Sequence, residues 1–288
     1  MKIAVITDVH GNAHALDAVL EDVAGEKPDV VVGAGDMVGC SAYVGAPEVW
    51  RRLHEEKIPF VIGNEEQRLL KYFSPEPDDL LKNSIQFWPL RYRAGQFTTE
   101  DVTRMKDLPV DYLIEGPCGN DVRVCHAAPG DPWHSPINGI DEAMEKRLNS
   151  VPEKVIAVGH YHTPWHLYWQ EKLLVMAGSA GLPLRGKVDE VDYLMLTFEQ
   201  QEWHFAYKTV KFDHAAAAAE SAASSFLAEA GPVGWLMFDE LLTQQDRLVT
   251  FLSEYCPGEK PADLEGWEAL VREYLTSIDR WHFISSYL

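Results

Sequence analysis

The sequence is short of positive charge, of cysteine and of long apolar runs. Its 25 lysines and arginines stand against 45 aspartates and glutamates, a formal charge of -20. That balance repels a polyanionic backbone, which argues against extended nucleic acid as a partner and against a nuclease. The four cysteines, Cys40, Cys118, Cys125 and Cys256, form no C-x-x-C pair. They fit a reduced, cytoplasmic protein better than a disulfide framework. Cys118 and Cys125 flank a hairpin turn and are read as plain buried thiols. The opening stretch "MKIAVITDVHG" is apolar only briefly before Asp8, and no later run reaches membrane length, so neither a signal peptide nor a membrane anchor is expected. Internal repeats are absent, and the alanine tract after His214 is the single low-complexity run.

Apolar residues are nonetheless plentiful. At 288 residues and 46% hydrophobic, the chain can bury the core of one large domain, or of one domain with an appendage. Short Val- and Ile-rich runs, "KIAVITD" (2–8), "DVVVGAGD" (29–36) and "IPFVIGN" (58–64), alternate with helical stretches at Ala13 to Val23 and around Pro47 to Glu56. Continuous apolar runs separated by helices are the pattern of strands buried on both faces. Next come a loop at "SPEPDD" (74–79) and a capped helix in "TTEDVTRMKDLP" (98–109). "DYLIEG", "VRVCHA" and "KVIAVGH" read as further strands, with a helix near Ile140 to Leu148. "LLVMAGSAG", "YLMLTF" and "WHFAYKTV" have a more antiparallel character. The expected division is a domain over 1–213 and a helical extension over 214–288. Within the extension "GP" (231–232) and "CPGEKP" (256–261) are breaks, and Trp267, Leu270, Val271, Tyr274, Leu275 and Ile278 share one face.

Ligand-type residues gather where these runs end. "TDVHGN" places Asp8 and His10 two apart, so that in extended chain both point the same way. "GAGD" ends on Asp36, "VIGNEEQ" supplies Asn64, "VRVCHA" supplies His126, and "VGHYH" supplies His160 and His162. Each block alone has a structural reading as a helix cap, a turn or a hydrogen-bonded core histidine. Together they describe a ligand crevice at the carboxyl ends of strands.

In this order the blocks resemble the calcineurin-like metallophosphoesterases, whose pattern is D-x-H, G-D, G-N-H-[DE], a lone His and G-H-x-H. The resemblance spans about residues 1–210. It is nearest to a small bacterial and archaeal phosphodiesterase-like branch, on Gly11-Asn12-Ala13-His14-Ala15-Leu16 and Gly178-Ser179-Ala180-Gly181-Leu182-Pro183. Protein phosphatases and diadenosine-tetraphosphate hydrolases of the superfamily carry an arginine soon after G-D, which "GDMVGCSAY" lacks. The resemblance implies an α+β fold, a four-layer α/β/β/α sandwich of two mixed sheets, with metals at the strand ends. It assigns Asp8, His10 and His162 to one metal ion, Asn64, His126 and His160 to a second, and Asp36 to both. Two divalent or trivalent ions (Mn, Fe, Zn, Co or Ni) would supply a bridging hydroxide to attack phosphorus.

The implied substrate is a small phosphorylated metabolite or nucleotide, hydrolysed as a phosphodiester, phosphomonoester or phosphoanhydride. A binding or regulatory module that kept the fold and lost catalysis is the competing reading. Glu65 stands where the family commonly has histidine, so Glu65 and His10 are the catalytic candidates, Glu65 as a general acid. First-turn helix acids are the plainer reading of Glu65 and Glu66. Asn12 and Arg185 are the candidate substrate contacts, Arg68 a further phosphate-facing cation, and Tyr43, Trp133 and His134 candidates for the mouth. The apolar stripes of the extension leave open a cap over the site, packing on the sheet, or a homo-oligomer.

Overall fold

Alternating side chains along short strands build the layers of this molecule. The computed structural model describes residues 1–288. Its strands are β1 (Lys2–Ile6), β2 (Val30–Gly33), β3 (Asp111–Ile114), β4 (Val122–Cys125), β5 (Val155–Val158), β6 (Trp165–Trp169), β7 (Lys172–Met176), β8 (Glu190–Glu199) and β9 (Glu202–Lys211). They form two mixed sheets, ordered β2-β1-β8-β9 and β3-β4-β5-β7-β6. The pairs β1/β2, β4/β5 and β5/β7 are parallel, and the others antiparallel.

Ile3 and Val5 of β1 point between the sheets, where they share a core with Val124, Val155, Ala157 and Val175. Ala4 and Ile6 point the other way, into a cluster with Leu16 and Val19 of helix α1 (Ala13–Glu26) and Val49 and Trp50 of α2 (Ala46–Glu55). On the second sheet Ile156, Val158 and Leu174 face outward. The resulting order, helices, sheet, sheet, helix, is the four-layer sandwich expected, and burial on both faces explains the unbroken apolar runs.

Along the chain α2 is followed by α3 (Asn64–Tyr72), α4 (Asp79–Asn83), α5 (Trp88–Ala94) and α6 (Thr99–Lys106), whose Leu69, Leu81, Leu90, Ala94 and Met105 join the cluster of Ala4 and Ile6. Thr98 caps α6 in a reciprocal box with Asp101. The outermost layer on the second sheet is α7 (Glu142–Asn149), which buries Met144 and Leu148 against it.

Three expectations need correcting. "IPFVIGN" makes only an isolated bridge between Phe60 and Gly33. Pro59 has no N–H to give a ladder, and the N–H of Ile62 goes to the carbonyl of Pro109 outside both sheets. Strand β6 was not expected; it is an aromatic-rich strand at the sheet's edge, half-exposed along its length. Cys118 is an exposed thiol, because it sits in the turn Pro117–Gly119 with φ 56°, whereas Cys125 and Cys256 are buried. No cysteine among the described residues is bridged.

The last third folds as α8 (His214–Ala223), α9 (Phe226–Thr243), α10 (Leu248–Thr250), α11 (Leu264–Ser277) and α12 (Trp281–Ile284). The break expected at "GP" is present: Gly231, at φ 61°, ψ -153°, is non-helical ahead of Pro232, so α9 is two helical pieces joined across a kink. Buried from Phe226 to Leu241 on nearly every side, α9 packs against α5, α8 and α11. Phe226, Leu236, Phe238, Trp267 and Leu275 belong to the same apolar cluster as Leu16 and Trp50. The stripes on α9 and α11 are therefore consumed within the chain. Among the described residues no helix is long and apolar enough to cross a membrane.

Two buried acids hold the turn after α9. Asp239 accepts from Arg247 Nε at 2.7 Å and Arg280 Nε at 2.6 Å, a buried carboxylate satisfied by two cations. Glu240 accepts the N–H groups of Arg247 and Leu248 at 2.9 and 2.8 Å. Burial, with Asp246 adding to it and the two N–H groups and His162 opposing it, raises the Glu240 carboxyl from 4.5 to about 7. The unfolded chain releases this proton near pH 4.5, so between about pH 4.5 and 7 the folded state binds the extra proton and loses stability as pH rises. Glu240→Gln keeps an acceptor oxygen and cannot ionise. Its Tm is expected to fall less than wild type's between pH 5 and pH 8, by a difference worth on the order of 2–3 kcal/mol. Parallel pH profiles would contradict this.

Candidate metal centre

Because β1 runs parallel to β2, and β4 to β5, the carboxyl ends of each pair open on the same edge. The chain then bends back on itself immediately. The N–H groups of Asp8 and His10 bond to the carbonyls of Gly35 and Asp36, each at 3.0 Å, and that of Gly159 bonds to the carbonyl of His126 at 2.8 Å. The bends place Asp8 (φ 51°), His10 (50°), Asp36 (51°), His160 (77°) and His162 (59°) in the left-handed region. Non-glycine residues avoid that region, at about 1–3 kcal/mol each. Its concentration at the expected ligands marks a site where side-chain direction outweighs backbone ease.

All seven expected ligand residues come together. His10 Nε2 and His162 Nε2 lie 3.1 Å apart, and Asp8 Oδ1 is 3.8 Å from the first and 3.4 Å from the second. Asp36 Oδ2 is 3.8 Å from His10 Nε2 and 3.4 Å from His126 Nε2. Asn64 Oδ1 reaches His126 Nε2 at 2.9 Å and His160 Nδ1 at 2.8 Å. Asp8, His10 and His162, and Asp8, Asp36 and His126, each bring one ligand atom per residue within 4.8 Å of one another. Asp8 Oδ1 is buried without a hydrogen-bond partner and faces two imidazole nitrogens. An orphaned carboxylate oxygen in that setting fits a cation, as does a donor set of imidazole, carboxylate and amide oxygen without thiolate.

Outer partners aim these groups. His126 Nδ1 bonds the Ala34 carbonyl at 2.8 Å and His162 Nδ1 the Leu182 carbonyl at 2.5 Å, which leaves each Nε2 free as a ligand atom. Asp8 Oδ2 is occupied by Thr7 Oγ1 at 2.8 Å and the His160 N–H at 2.9 Å, so Oδ1 is the atom turned inward. Ser179 Oγ donates to the Asp8 carbonyl at 2.7 Å and accepts the Leu182 N–H at 2.7 Å, tying "GSAGLP" to the end of β1. Glu66, wholly buried, accepts the N–H groups of Asp36, Val38 and Gly63 at 2.9, 3.0 and 2.8 Å. It caps α3 as a first-turn acid and also fastens the Asp36 loop, a double duty that spacing alone does not reveal.

Between these groups the charges are strongly coupled. Burial would raise Asp36, but His126 and His10 bring it down to about 2; burial would lower His126, but Asp36 and Asp8 carry it up to about 10. Asp8 is likewise held well below the usual carboxylate range by His162 and His10 against its burial. His160, under burial and the neighbouring His126, is lowered to about 4.

Residues 1–201 match the family model for the calcineurin-like phosphoesterase superfamily domain. The chain belongs to that superfamily. It is 24% identical over 229 residues to an uncharacterized protein of Methanocaldococcus jannaschii, covering 73% of this chain and 88% of the relative. Its fold is similar to a metallophosphoesterase from Sphaerobacter thermophilus, with a TM-score of 0.64 at 20% identity over 85% of this chain and 100% of that one. A hypothetical protein from Pyrococcus horikoshii gives a TM-score of 0.60 at 17% identity over 82% and 97%.

Not every expected contact of this phosphoesterase-family site is where the sequence reading put it. Arg185 pairs with Asp192 and Glu190 of β8 and does not line the cavity described below; the carboxylates of that strand claim its guanidinium. Asn12 is buried, accepting the Ala15 N–H at 3.0 Å as the cap of α1 and donating to the Gly181 carbonyl at 2.9 Å, so both ends of its amide are spoken for. Glu65 accepts from Arg68 and, at 3.1 Å, from Asn64 Nδ2. Tyr43 is buried against Gln244, His134 pairs with Asp141, and the Arg68 guanidinium lies 5.0 Å from the Trp133 ring centre.

A cavity of about 380 Å³ opens on His10, Asn64 and His162. Part of its wall, its roof, comes from the C-terminal third, through Met237, Glu240, Asp246, Leu248 and Leu252. The helical extension thus lines the same cavity as His10, Asn64 and His162.

Gly63 shows how little slack the centre has: a Cβ there would stand 2.0 Å from Asp36 Oδ1 and 2.3 Å from Asp36 N. Gly63→Ala is expected to fold and to bind Mn at least about tenfold more weakly in equilibrium dialysis, the range seen when outer partners of metal ligands are disturbed. Unchanged affinity would contradict this picture of Asp36.

Proposed function

We propose that the protein is a dinuclear metal-dependent phosphoesterase that hydrolyses a small phosphorylated molecule. Asp8, His10 and His162 would hold one cation, Asn64, His126 and His160 the other, and Asp36 would serve both. The observation that carries this reading is the position of Asp36 Oδ2, 3.8 Å from His10 Nε2 and 3.4 Å from His126 Nε2, between the two histidine groups. Mn, Fe, Zn, Co or Ni suits these donors better than a Mg-only site. Bound cations there supply Lewis-acid polarisation of a phosphoryl oxygen and a water of lowered pKa.

The protein's own groups do the positioning. Glu65 accepts from Asn64 Nδ2, which turns Asn64 Oδ1 toward His126 and His160, and it holds Arg68 on the cavity wall. In this proposal Glu65 acts as that acceptor, through Oε1, in place of the general acid expected at that position. A site without a committed proton donor suits esters whose leaving groups depart as stable anions. Glu240 and Leu248 bring the C-terminal third into the lining of the cavity.

Mn-loaded protein is expected to hydrolyse bis(p-nitrophenyl) phosphate, and Asp36→Asn to lower kcat/KM by more than about a hundredfold, since it removes the ligand shared by both cations. Turnover that survives chelation, or that is unaffected in Asp36→Asn, would overturn the proposal. Bound metal without turnover of any ester would favour the binding-module reading.

A further inference from the structure

Resting on the phosphoesterase reading, we propose that the roofed cavity selects a phosphodiester bearing one aryl-sized, uncharged apolar arm, with Leu248, Met237 and Phe87 as the residues that determine this specificity. The cavity is continuous with the metal centre: His10, Asn64 and His162 line one side of it. An ester arm on phosphorus held at those residues therefore has this cavity beside it to enter.

What waits there is mainly hydrocarbon. Phe87 and Leu90 come from the segment entering α5, Leu184 from the loop after "GSAGLP", and Met237, Leu248 and Leu252 from the C-terminal third. Met237 is buried and Leu248 half-buried, so a ring placed among them gives up part of its contact with water. A volume of about 380 Å³ lies at the small end of ligand sites and suits a single ring with its linkage. Burying a ring of this size contributes about 1.5–3 kcal/mol, or roughly ten- to a hundredfold in affinity.

Charge narrows the arm further. The carboxylates lining the cavity are Glu65, Glu240 and Asp246, and Arg68 is the one Lys or Arg side chain among the described lining residues. Arg68 is already paired with Glu65, and Asp246 accepts the N–H of Val249 at 3.0 Å at the start of α10. An arm carrying phosphates or a carboxylate would meet acids with no free cation to offset them. Polyphosphate tails are rejected on this ground.

The test is calorimetric titration of the Mn-loaded full chain with dimethyl phosphate, methyl phenyl phosphate and methyl 4-carboxyphenyl phosphate, all diesters that differ only in the arm. Methyl phenyl phosphate is expected to bind at least about tenfold more tightly than dimethyl phosphate, and at least about tenfold more tightly than the carboxylated analogue. Leu248→Asn, folded by its melting curve, should reduce the first ratio severalfold. Equal binding of the dimethyl and phenyl diesters, or of the phenyl and carboxyphenyl diesters, overturns this inference and leaves the phosphoesterase reading standing. Failure of the protein to retain Mn or to bind any diester overturns both.

Discussion

The rest of this structure depends on one backbone constraint: strands that end together on a sheet edge must turn at once and still aim their next side chains at a common point. Parallel pairing of β1 with β2 and of β4 with β5 brings the ends together. Left-handed turns at Asp8, His10, Asp36, His160 and His162 do the aiming. The strain is borne because the surroundings over-determine it. Thr7, Ser179, Glu66 and the carbonyls of Ala34 and Leu182 each fix one atom of the centre, and the Cβ-free Gly63 and Gly159 let the loops approach. Without these partners the same residues would relax to ordinary loop conformations and the donors would diverge.

The C-terminal third gives this centre a shape. Most of α9 is buried, so its apolar residues contribute to the main core and also set the height of the roof above His10 and His162. Asp239, clamped by Arg247 and Arg280, fixes the turn that carries Leu248 over the cavity. Core packing and pocket shape are thereby one problem: a change that loosens the α9 to α11 contact also alters what the site can hold.

Much of this was legible in the sequence, for physical reasons. Val- and Ile-rich runs such as 155–158 are required where a strand is covered on both sides, and ligand-type residues directly after them stand out against that background. The order of those blocks carried the family. The strand expected at 58–64 failed because Pro59 has no N–H to extend the ladder and Ile62 gives its own to Pro109, which no hydrophobic pattern records. Arg185 falls outside the cavity because its guanidinium pairs with the buried carboxylate of Asp192 on β8, a pairing that no motif records. Glu65 is the subtler case. Its position in "VIGNEEQ" pointed to the site, but its role depends on Arg68 one helical turn later and on the orientation of the Asn64 amide. A cap over the site stands in the sequence only as one of three open readings of the extension, since helical periodicity shows that a face is buried and not what it is buried against.

The central claim is that one carboxylate, Asp36, joins two cation sites built on strained strand ends. A crystal structure of the Mn-loaded protein, with anomalous scattering at the Mn edge, tests it most directly. The account predicts two peaks about 3.5–4 Å apart, with Asp36 touching both. A single peak, or two peaks with Asp36 bound to only one, would contradict it.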